Sequence, residues 1–212
     1  MDFKTVTQLV SNLNAKIADE KPLLEGFAEQ VKTLQGHEAE PLRWYTDARF
    51  LILQVDFDMM VILRSMLVDP SNRLTMEKYL ALQVAESLAA VAPTVNGLIQ
   101  AVRDGSGSTA GRFDLEVLKT AKSRFDSAIA PYRGDAVFMT TLTGVRNTTA
   151  AHLWGKKGAR LNGSAQWVLS RAERPITVEE VFHSKFVSVA IGTLAALHKL
   201  ADDLGSGFQP NS

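Results

Sequence analysis

The composition of this 212-residue chain is that of an ordinary globular protein: 46% of its residues are hydrophobic, and Lys+Arg and Asp+Glu number 23 each. Such a chain can bury a substantial core, and its zero net charge excludes the broad basic field that drives tight, non-specific binding to nucleic acid. The lack of cysteine excludes disulfides, thiol catalysis and thiolate metal sites. Met1 to Thr5 lack the basic segment and apolar run of a signal peptide, so we expect a cytoplasmic protein.

Helical periodicity runs along the chain, and no segment of more than a few residues alternates convincingly as a strand. We expect Lys21-Pro22 to end the first helix and Pro22 to begin the second, and Thr75 to be the N-cap of the fourth. The predicted helices span about Phe3–Ala18, Pro22–Leu34, Pro41–Val68, Thr75–Val102, Asp114–Ile129 and Asp135–Leu153, with a final helix after Thr177. The pattern predicts one all-α domain over residues 1–212, an up-and-down helical bundle.

The segment from Phe50 to Val68 is apolar enough to require comparison with a membrane span. Asp56, Asp58 and Arg64 interrupt it, and each charge would cost about 2.5–3.5 kcal/mol at the centre of a bilayer. We therefore interpret the segment as a buried core helix and expect no membrane partner. Its acids are expected to form structural ion pairs with Arg49 or Arg64, since Asp56 follows Arg49 by about two turns.

Two segments are irregular. Gly105 to Gly111 is superficially similar to a phosphate-binding loop, but its glycine spacing is wrong, Arg112 replaces the Gly-Lys-Ser/Thr ending, and no apolar strand precedes it. We predict a linker between helices instead. Gly155 to Pro175 is irregular too, and Asn162-Gly163 could turn a short hairpin from Ala159 to Leu169.

One segment, Arg146-Asn147-Thr148-Thr149-Ala150-Ala151-His152, carries residue types suited to chemistry. Arginine can hold a phosphate, asparagine can orient a polar partner, and histidine can transfer a proton near neutral pH. Together they suit cleavage of an RNA phosphodiester without a metal ion. The alternative is a surface arginine and a histidine that bonds within its own bundle.

This segment resembles the Arg-polar-x(3–4)-His signature of HEPN (higher eukaryotes and prokaryotes nucleotide-binding) domains. Upstream, the segments Leu63–Pro70 and Leu74–Leu80 look like the helix, aspartate-containing turn and capped helix of HEPN proteins in the abortive-infection group. Downstream, Ile176–Phe182 resembles the capped closing helix. The resemblance touches about residues 42–204 and implies a HEPN-like helical bundle with an irregular insertion before the last helix.

The resemblance implies a role for each residue of the motif: Arg146 neutralises the scissile phosphate, Asn147 orients the site or the RNA, and His152 transfers protons. The expected product is a 2′,3′-cyclic phosphate, and no cofactor or metal is needed. Some toxin relatives carry a tyrosine two places after the histidine, where a partner nucleotidyltransferase modifies it. Here that position is Trp154, a departure from that mode of control.

Arg146 and His152 would not converge on one small ligand from a single straight helix. Six residues separate them by about 9 Å along the axis and about 120° around it. We therefore predict a homodimer in which two such helices face each other across a two-fold axis, with Val145, Thr149 and Leu153 as candidate contacts.

A local basic cluster follows the histidine: Lys156, Lys157 and Arg160, with Trp154 beside them. These residues could grip an RNA backbone while a base stacks on the indole. The alternative is a solvated loop with a half-buried tryptophan.

The histidines suggest no metal site by spacing. Glu180 and His183 fit the Glu-x-x-His spacing of di-iron bundles, but that chemistry needs a second copy. The residues three before the other histidines, His37, His152 and His198, are Leu34, Thr149 and Ala195. We expect His183 and His198 to be ordinary helix residues.

These observations favour a metal-independent endoribonuclease of the toxin–antitoxin or phage-defence type, with RNA as substrate and a cognate antitoxin as a further partner. The alternative is a non-catalytic HEPN-like dimer that binds RNA, nucleotide or another protein. A neutral chain with one small basic cluster fits this alternative about as well, because a fold does not settle a function.

Overall fold

The computed structural model describes residues 3–37, 40–105, 107–145 and 184–209. These residues form six α-helices: α1 Phe3–Thr33, α2 Pro41–Val68, α3 Arg73–Arg103, α4 Leu115–Arg133, α5 Ala136–Val145 and α6 Lys185–Ser206. Two short 3-10 helices, Pro70–Asn72 and Ala110–Arg112, and an isolated β-bridge between Phe113 and Phe208 complete the regular structure, and the described ranges contain no strand. The predicted all-α helical bundle is confirmed.

The N-terminal part of the chain differs from the prediction, because α1 continues through Pro22 as one helix of 31 residues. A proline inside a helix removes the hydrogen bond that its own nitrogen would donate to the carbonyl four residues earlier, here that of Ala18, and its ring crowds that carbonyl. The periodic apolar stripe continues on both sides of it, and this stripe outweighs the single missing bond. Gly36, with φ +85°, follows the end of the helix, where glycine is favoured because it adopts a positive φ without strain.

Aspartates begin the later helices. The Asp69 side chain accepts from the Ser71 amide and caps the turn Pro70–Asn72, so α3 begins at Arg73 and the expected N-cap at Thr75 is wrong. Asp114 caps α4 by accepting from the amides of Glu116 and Val117. That helix runs through Pro131 to Arg133, four residues beyond its predicted end at Ile129.

The chain divides into two compact units. The first unit contains the described residues 3–18, 58–86, 132–145 and 184–191. Its core consists of apolar side chains from α2, α3, α5 and α6, among them Met59, Met66, Leu80, Val84, Phe138, Leu142, Phe186 and Val187. The rings of Phe138 and Phe186 lie 5.5 Å apart between centroids, which joins α5 to the start of α6.

The second unit contains the described residues 19–37, 40–57, 87–105, 107–131 and 192–209. Its core takes aliphatic and aromatic side chains from α2, α3, α4 and α6, among them Ile52, Val91, Val95, Leu98, Leu118, Phe125, Ile129, Leu197, Leu200 and Leu204. Tyr45, Phe113 and Phe208 form an aromatic cluster with centroid separations of 4.9 to 5.6 Å. This cluster fixes the C-terminal residues of the described chain against α2.

The apolar helix α2 is buried, as expected: Ile52, Met59 and Met66 are each at most 1% exposed. Among the described residues, one helical stretch, Thr75–Arg103, has the length and apolar composition needed to cross a membrane. Of its most apolar 18 residues, 44% are buried. This is weak evidence, because core helices of soluble proteins meet the same criterion.

Candidate functional site

A glutamate interrupts the apolar face of α1. The half-buried positions that the structure describes along this helix recur three or four residues apart, and they are Val6, Leu9, Val10, Leu13, Ile17, Glu20, Leu24, Phe27 and Val31. Glu20 is the only charged residue in this set. Its carboxylate therefore lies on the side of α1 that packs against protein rather than on the side that faces solvent.

Asp56 lies on the buried face of α2, between Val55 and Met59, and is only 1% exposed. Its Oδ2 contacts Nε2 of His198, which reaches it from α6. Its other carboxylate oxygen, Oδ1, is buried and has no hydrogen-bond partner among the described residues. A buried carboxylate is costly unless its oxygens are satisfied, so Asp56 is an unusual feature of this core.

The ion pair expected for Asp56 is wrong in its partner. Arg49 Nη1 donates instead to Tyr45 Oη at 3.4 Å and to the Ala201 carbonyl at 3.2 Å. Its guanidinium also lies over the rings of Phe27 and Tyr45. Arg49 lies two turns before Asp56 on the same helix, but its planar group contacts the carbonyl and the rings instead of the carboxylate.

The other two charges of the apolar segment have partners on neighbouring helices. Arg64 bonds the side chain of Asn14, and Asp58 accepts from Gln83 at 3.0 Å. Partial burial raises the pKa of the Asp58 carboxyl above its ordinary value, and the Gln83 bond opposes that rise.

Glu20, Asp56 and His198 converge, all within the second unit. One ligand atom from each, two carboxylate oxygens and an imidazole nitrogen, lie within 4.8 Å of one another. Glu20 is half-buried, Asp56 is buried, and the His198 side chain is 39% exposed. The cluster therefore combines a buried carboxylate with a partly exposed imidazole. Such a set of groups can share protons or hold a cation.

From the sequence we expect His198 to be an ordinary helix residue and Asp56 to pair with an arginine, and Glu20 is not among the predicted site residues. His198 lies 142 residues after Asp56, so no local spacing connects them. One signal was present in the sequence: Glu20 occupies an apolar position of the α1 stripe, and a charge at such a position indicates a buried partner.

The loop between α3 and α4 is a linker, as predicted, and its amides are occupied by a side chain of the protein itself. The Glu40 carboxylate accepts from the amides of Ser108 and Thr109 at 3.0 and 3.2 Å, and from the Thr109 hydroxyl at 2.8 Å. These bonds, led by the Ser108 amide, lower the pKa of Glu40 below its ordinary value of 4.5. A phosphate would have to displace this carboxylate to bind the same amides.

The residues of the predicted ribonuclease site lie outside the described residues. This applies to Arg146, Asn147 and His152, to the basic cluster of Trp154, Lys156, Lys157 and Arg160, to the predicted hairpin Ala159–Leu169 and to His183. Val145 is the last residue of α5 that the structure describes, and Arg146 follows it in the sequence. The chain matches no protein-family model, and no curated protein and no solved structure shows significant similarity to it.

Proposed function

We propose that the chain is a metal-independent endoribonuclease of the HEPN type, acting as a toxin or a phage-defence effector in the cytoplasm. The observation that carries the proposal is the segment Arg146-Asn147-x4-His152 in an all-α protein. In its favour, the helix α5, Ala136–Val145, leads directly into Arg146. In a HEPN-type protein, the Arg-polar-x(3–4)-His segment is expected on a helix of the bundle.

The proposed reaction needs only groups that this segment supplies. His152 takes the proton of the ribose 2′-hydroxyl, and the oxygen attacks the adjacent phosphorus while the bond to the 5′-oxygen breaks. The imidazolium that this transfer creates gives the proton to the leaving 5′-oxygen, and the products are a 2′,3′-cyclic phosphate and a 5′-hydroxyl. Arg146 stabilises the negative charge that develops on the phosphate, and Asn147 orients the RNA.

The RNA is proposed to bind locally rather than over a broad surface. The net charge of the chain is zero, whereas Lys156, Lys157 and Arg160 place three positive charges within six residues after Trp154. Contacts from these side chains to phosphates, with one base stacked on Trp154, would hold a short single-stranded segment. A cognate antitoxin that covers this cluster would block the site.

Cleavage of RNA in the presence of a chelator tests the proposal. We expect the wild type to cut, and His152→Ala to lose about 10²–10⁴-fold in rate while keeping its helical content. Arg146→Lys keeps the charge but lacks the planar fork, so it should also be substantially impaired. His37→Ala, which changes an exposed histidine outside the motif, is the matched control and should cut normally.

The products are to be identified by their termini. A 2′,3′-cyclic phosphate supports the mechanism, whereas a 5′-phosphate or a dependence on added divalent ions contradicts it. Full activity of His152→Ala would remove the proposal.

The neutral composition favours one other candidate, a non-catalytic dimer that binds RNA, nucleotide or a protein partner through the same segment. This module would bind RNA without cutting it, and Lys156→Ala with Lys157→Ala would weaken binding. The cleavage assay separates the two candidates, since only the enzyme produces new RNA ends.

A further inference from the structure

We propose that Glu20, Asp56 and His198 bind one divalent transition-metal ion of the Zn²⁺ class. The proposal is independent of the ribonuclease proposal, because it uses none of the residues between Arg146 and His152. It also revises the sequence-based expectation that the chain holds no metal. Each of its three residues comes from a different helix: α1, α2 and α6.

The spacing of the three side chains suits a shared ion. Their ligand atoms lie within 4.8 Å of one another. Tetrahedral Zn²⁺ binds nitrogen and oxygen ligands at about 2.0–2.2 Å, so two of its ligands are separated by about 3.4 Å. Small side-chain rotations would therefore bring the three atoms to coordination distance, and the ion would replace the contact between His198 and Asp56.

The charges of the cluster also favour a cation. Two carboxylates lie close together, and one of them belongs to a residue that is only 1% exposed. A divalent ion would balance both and would give the buried Asp56 Oδ1, which has no hydrogen-bond partner in the described ranges, a counter-charge.

The ligand set selects the class of metal. An imidazole nitrogen with two carboxylate oxygens suits Zn²⁺ and the neighbouring first-row ions better than Mg²⁺ or Ca²⁺, which prefer oxygen alone. Three protein ligands leave a fourth position on Zn²⁺ for water. Because the His198 side chain is 39% exposed, that position would be accessible to solvent.

Calorimetric titration with Zn²⁺ tests the proposal on full-length protein that has no affinity tag and has been stripped with EDTA and then dialysed. Wild type should bind one equivalent. Glu20→Gln replaces a charged carboxylate with a neutral amide, and His198→Gln removes the imidazole; each should weaken binding by at least about 100-fold, since even outer-sphere partners of metal ligands are worth about 10–100-fold. Glu25→Gln and His37→Gln, at exposed positions of the same unit, are the matched controls and should bind like wild type.

Asp56→Asn removes a buried charge and keeps the side-chain shape, so its circular dichroism is to be measured before its titration. If it does not fold, Glu20→Gln and His198→Gln still decide, because both positions are partly exposed. Bound Zn²⁺ should raise the melting temperature of wild type and of the two controls but not of the ligand variants.

Failure of wild type to bind Zn²⁺ would overturn the proposal, and so would unchanged binding by both Glu20→Gln and His198→Gln. RNA cleavage in EDTA is a separate readout that concerns Arg146 and His152. A loss of metal binding and a loss of cleavage can therefore be distinguished.

Discussion

Gly97 occupies a position in the interior of α3 where a side chain has no room. A Cβ atom at this position would overlap with the indole ring of Trp44, which packs across the glycine from α2. Glycine in a helix interior costs about 1 kcal/mol relative to alanine. Its presence here indicates that the close packing of the Trp44 ring stabilises the protein by more than this cost.

We expect Gly97→Ala to lower the free energy of unfolding by about 1–3 kcal/mol, because the added methyl group overpacks a filled site. The measurement is urea denaturation followed by circular dichroism. Gly26→Ala in α1 is the matched control: no heavy atom lies within 4 Å of its added Cβ, so it should stabilise the protein by about 0.5–1 kcal/mol. Equal effects of the two substitutions would contradict the overlap with Trp44.

The environment of Glu40 predicts that the free energy of unfolding depends on pH. Its pKa is below 4.5 in the folded protein because the amide and hydroxyl groups of Ser108 and Thr109 bond the carboxylate. A carboxyl whose pKa is lower in the folded state stabilises the fold above its unfolded pKa, and this contribution is lost as the pH falls through the folded pKa.

Wild type should therefore be more stable than Glu40→Gln at pH 7, and the difference should shrink as the pH is lowered from about 4.5, the ordinary pKa of the residue. Urea denaturation at pH 7, 5 and 3 measures it. Glu25→Gln, an exposed substitution on α1, provides the control. A difference that stays constant down to pH 3 would refute the linkage to Glu40.

At the scale of elements, periodicity predicted most helices correctly, because an apolar stripe is a property of a dozen or more neighbouring residues. The errors fall at prolines and caps. Pro22 and Pro131 were expected to interrupt or limit helices and do not, because each removes one hydrogen bond from a helix held by packing. Thr75 was predicted as an N-cap, but Asp69 caps the turn that leads into α3, and aspartate is as good a capping residue as threonine.

The cluster of Glu20, Asp56 and His198 could not be predicted in the same way. Its residues lie on three helices, and their convergence depends on how those helices pack rather than on any spacing along the chain. The motif from Arg146 to His152 is the opposite case: its spacing is visible in the sequence, and its roles stay predictions.

Asp135 is the cap on which the start of α5 depends. Its Oδ1 accepts from the Phe138 amide at 2.8 Å, and its other oxygen pairs with Lys185. The Lys185 ammonium and the Phe138 amide together hold the pKa of the Asp135 carboxyl below its ordinary value. The residue thus ties the helix that precedes Arg146 to the beginning of α6.

We expect Asp135→Ala to lower the melting temperature more than Asp135→Asn, because asparagine can still cap α5 although it cannot pair with Lys185. Lys185→Met separates the two contributions, since it removes only the pair. Thermal denaturation followed by circular dichroism gives the comparison. Identical melting temperatures for the alanine and asparagine variants would exclude a role for the cap.

At the scale of the whole molecule, the proposed ribonuclease site requires two copies of the chain. If Arg146 and His152 lie on one straight helix, as the sequence predicts, their side chains would diverge, and the segments of two protomers would have to complete one another. We expect light scattering to give the mass of a dimer. Thr149→Glu, which introduces a charge between the two motif residues, should separate the protomers and abolish cleavage together.

Asn12→Asp, a new charge at an exposed position of α1, controls for a general effect of charge and should leave the dimer intact. A monomer at micromolar concentration that still cuts RNA would show that one protomer suffices. The helix would then have to break near Asn147 to bring Arg146 and His152 together.

Because α1 is long and its side chains are only partly buried, we expect it to unfold locally more easily than α2. None of the side chains that the structure describes on this 31-residue helix is fully buried. Its backbone amides should therefore exchange with deuterium through local unfolding, at a lower free energy than those of α2, whose side chains form the core. An ion held between Glu20 and the two deeper helices would slow that exchange along α1, so the first helix to open would also report whether the metal is bound.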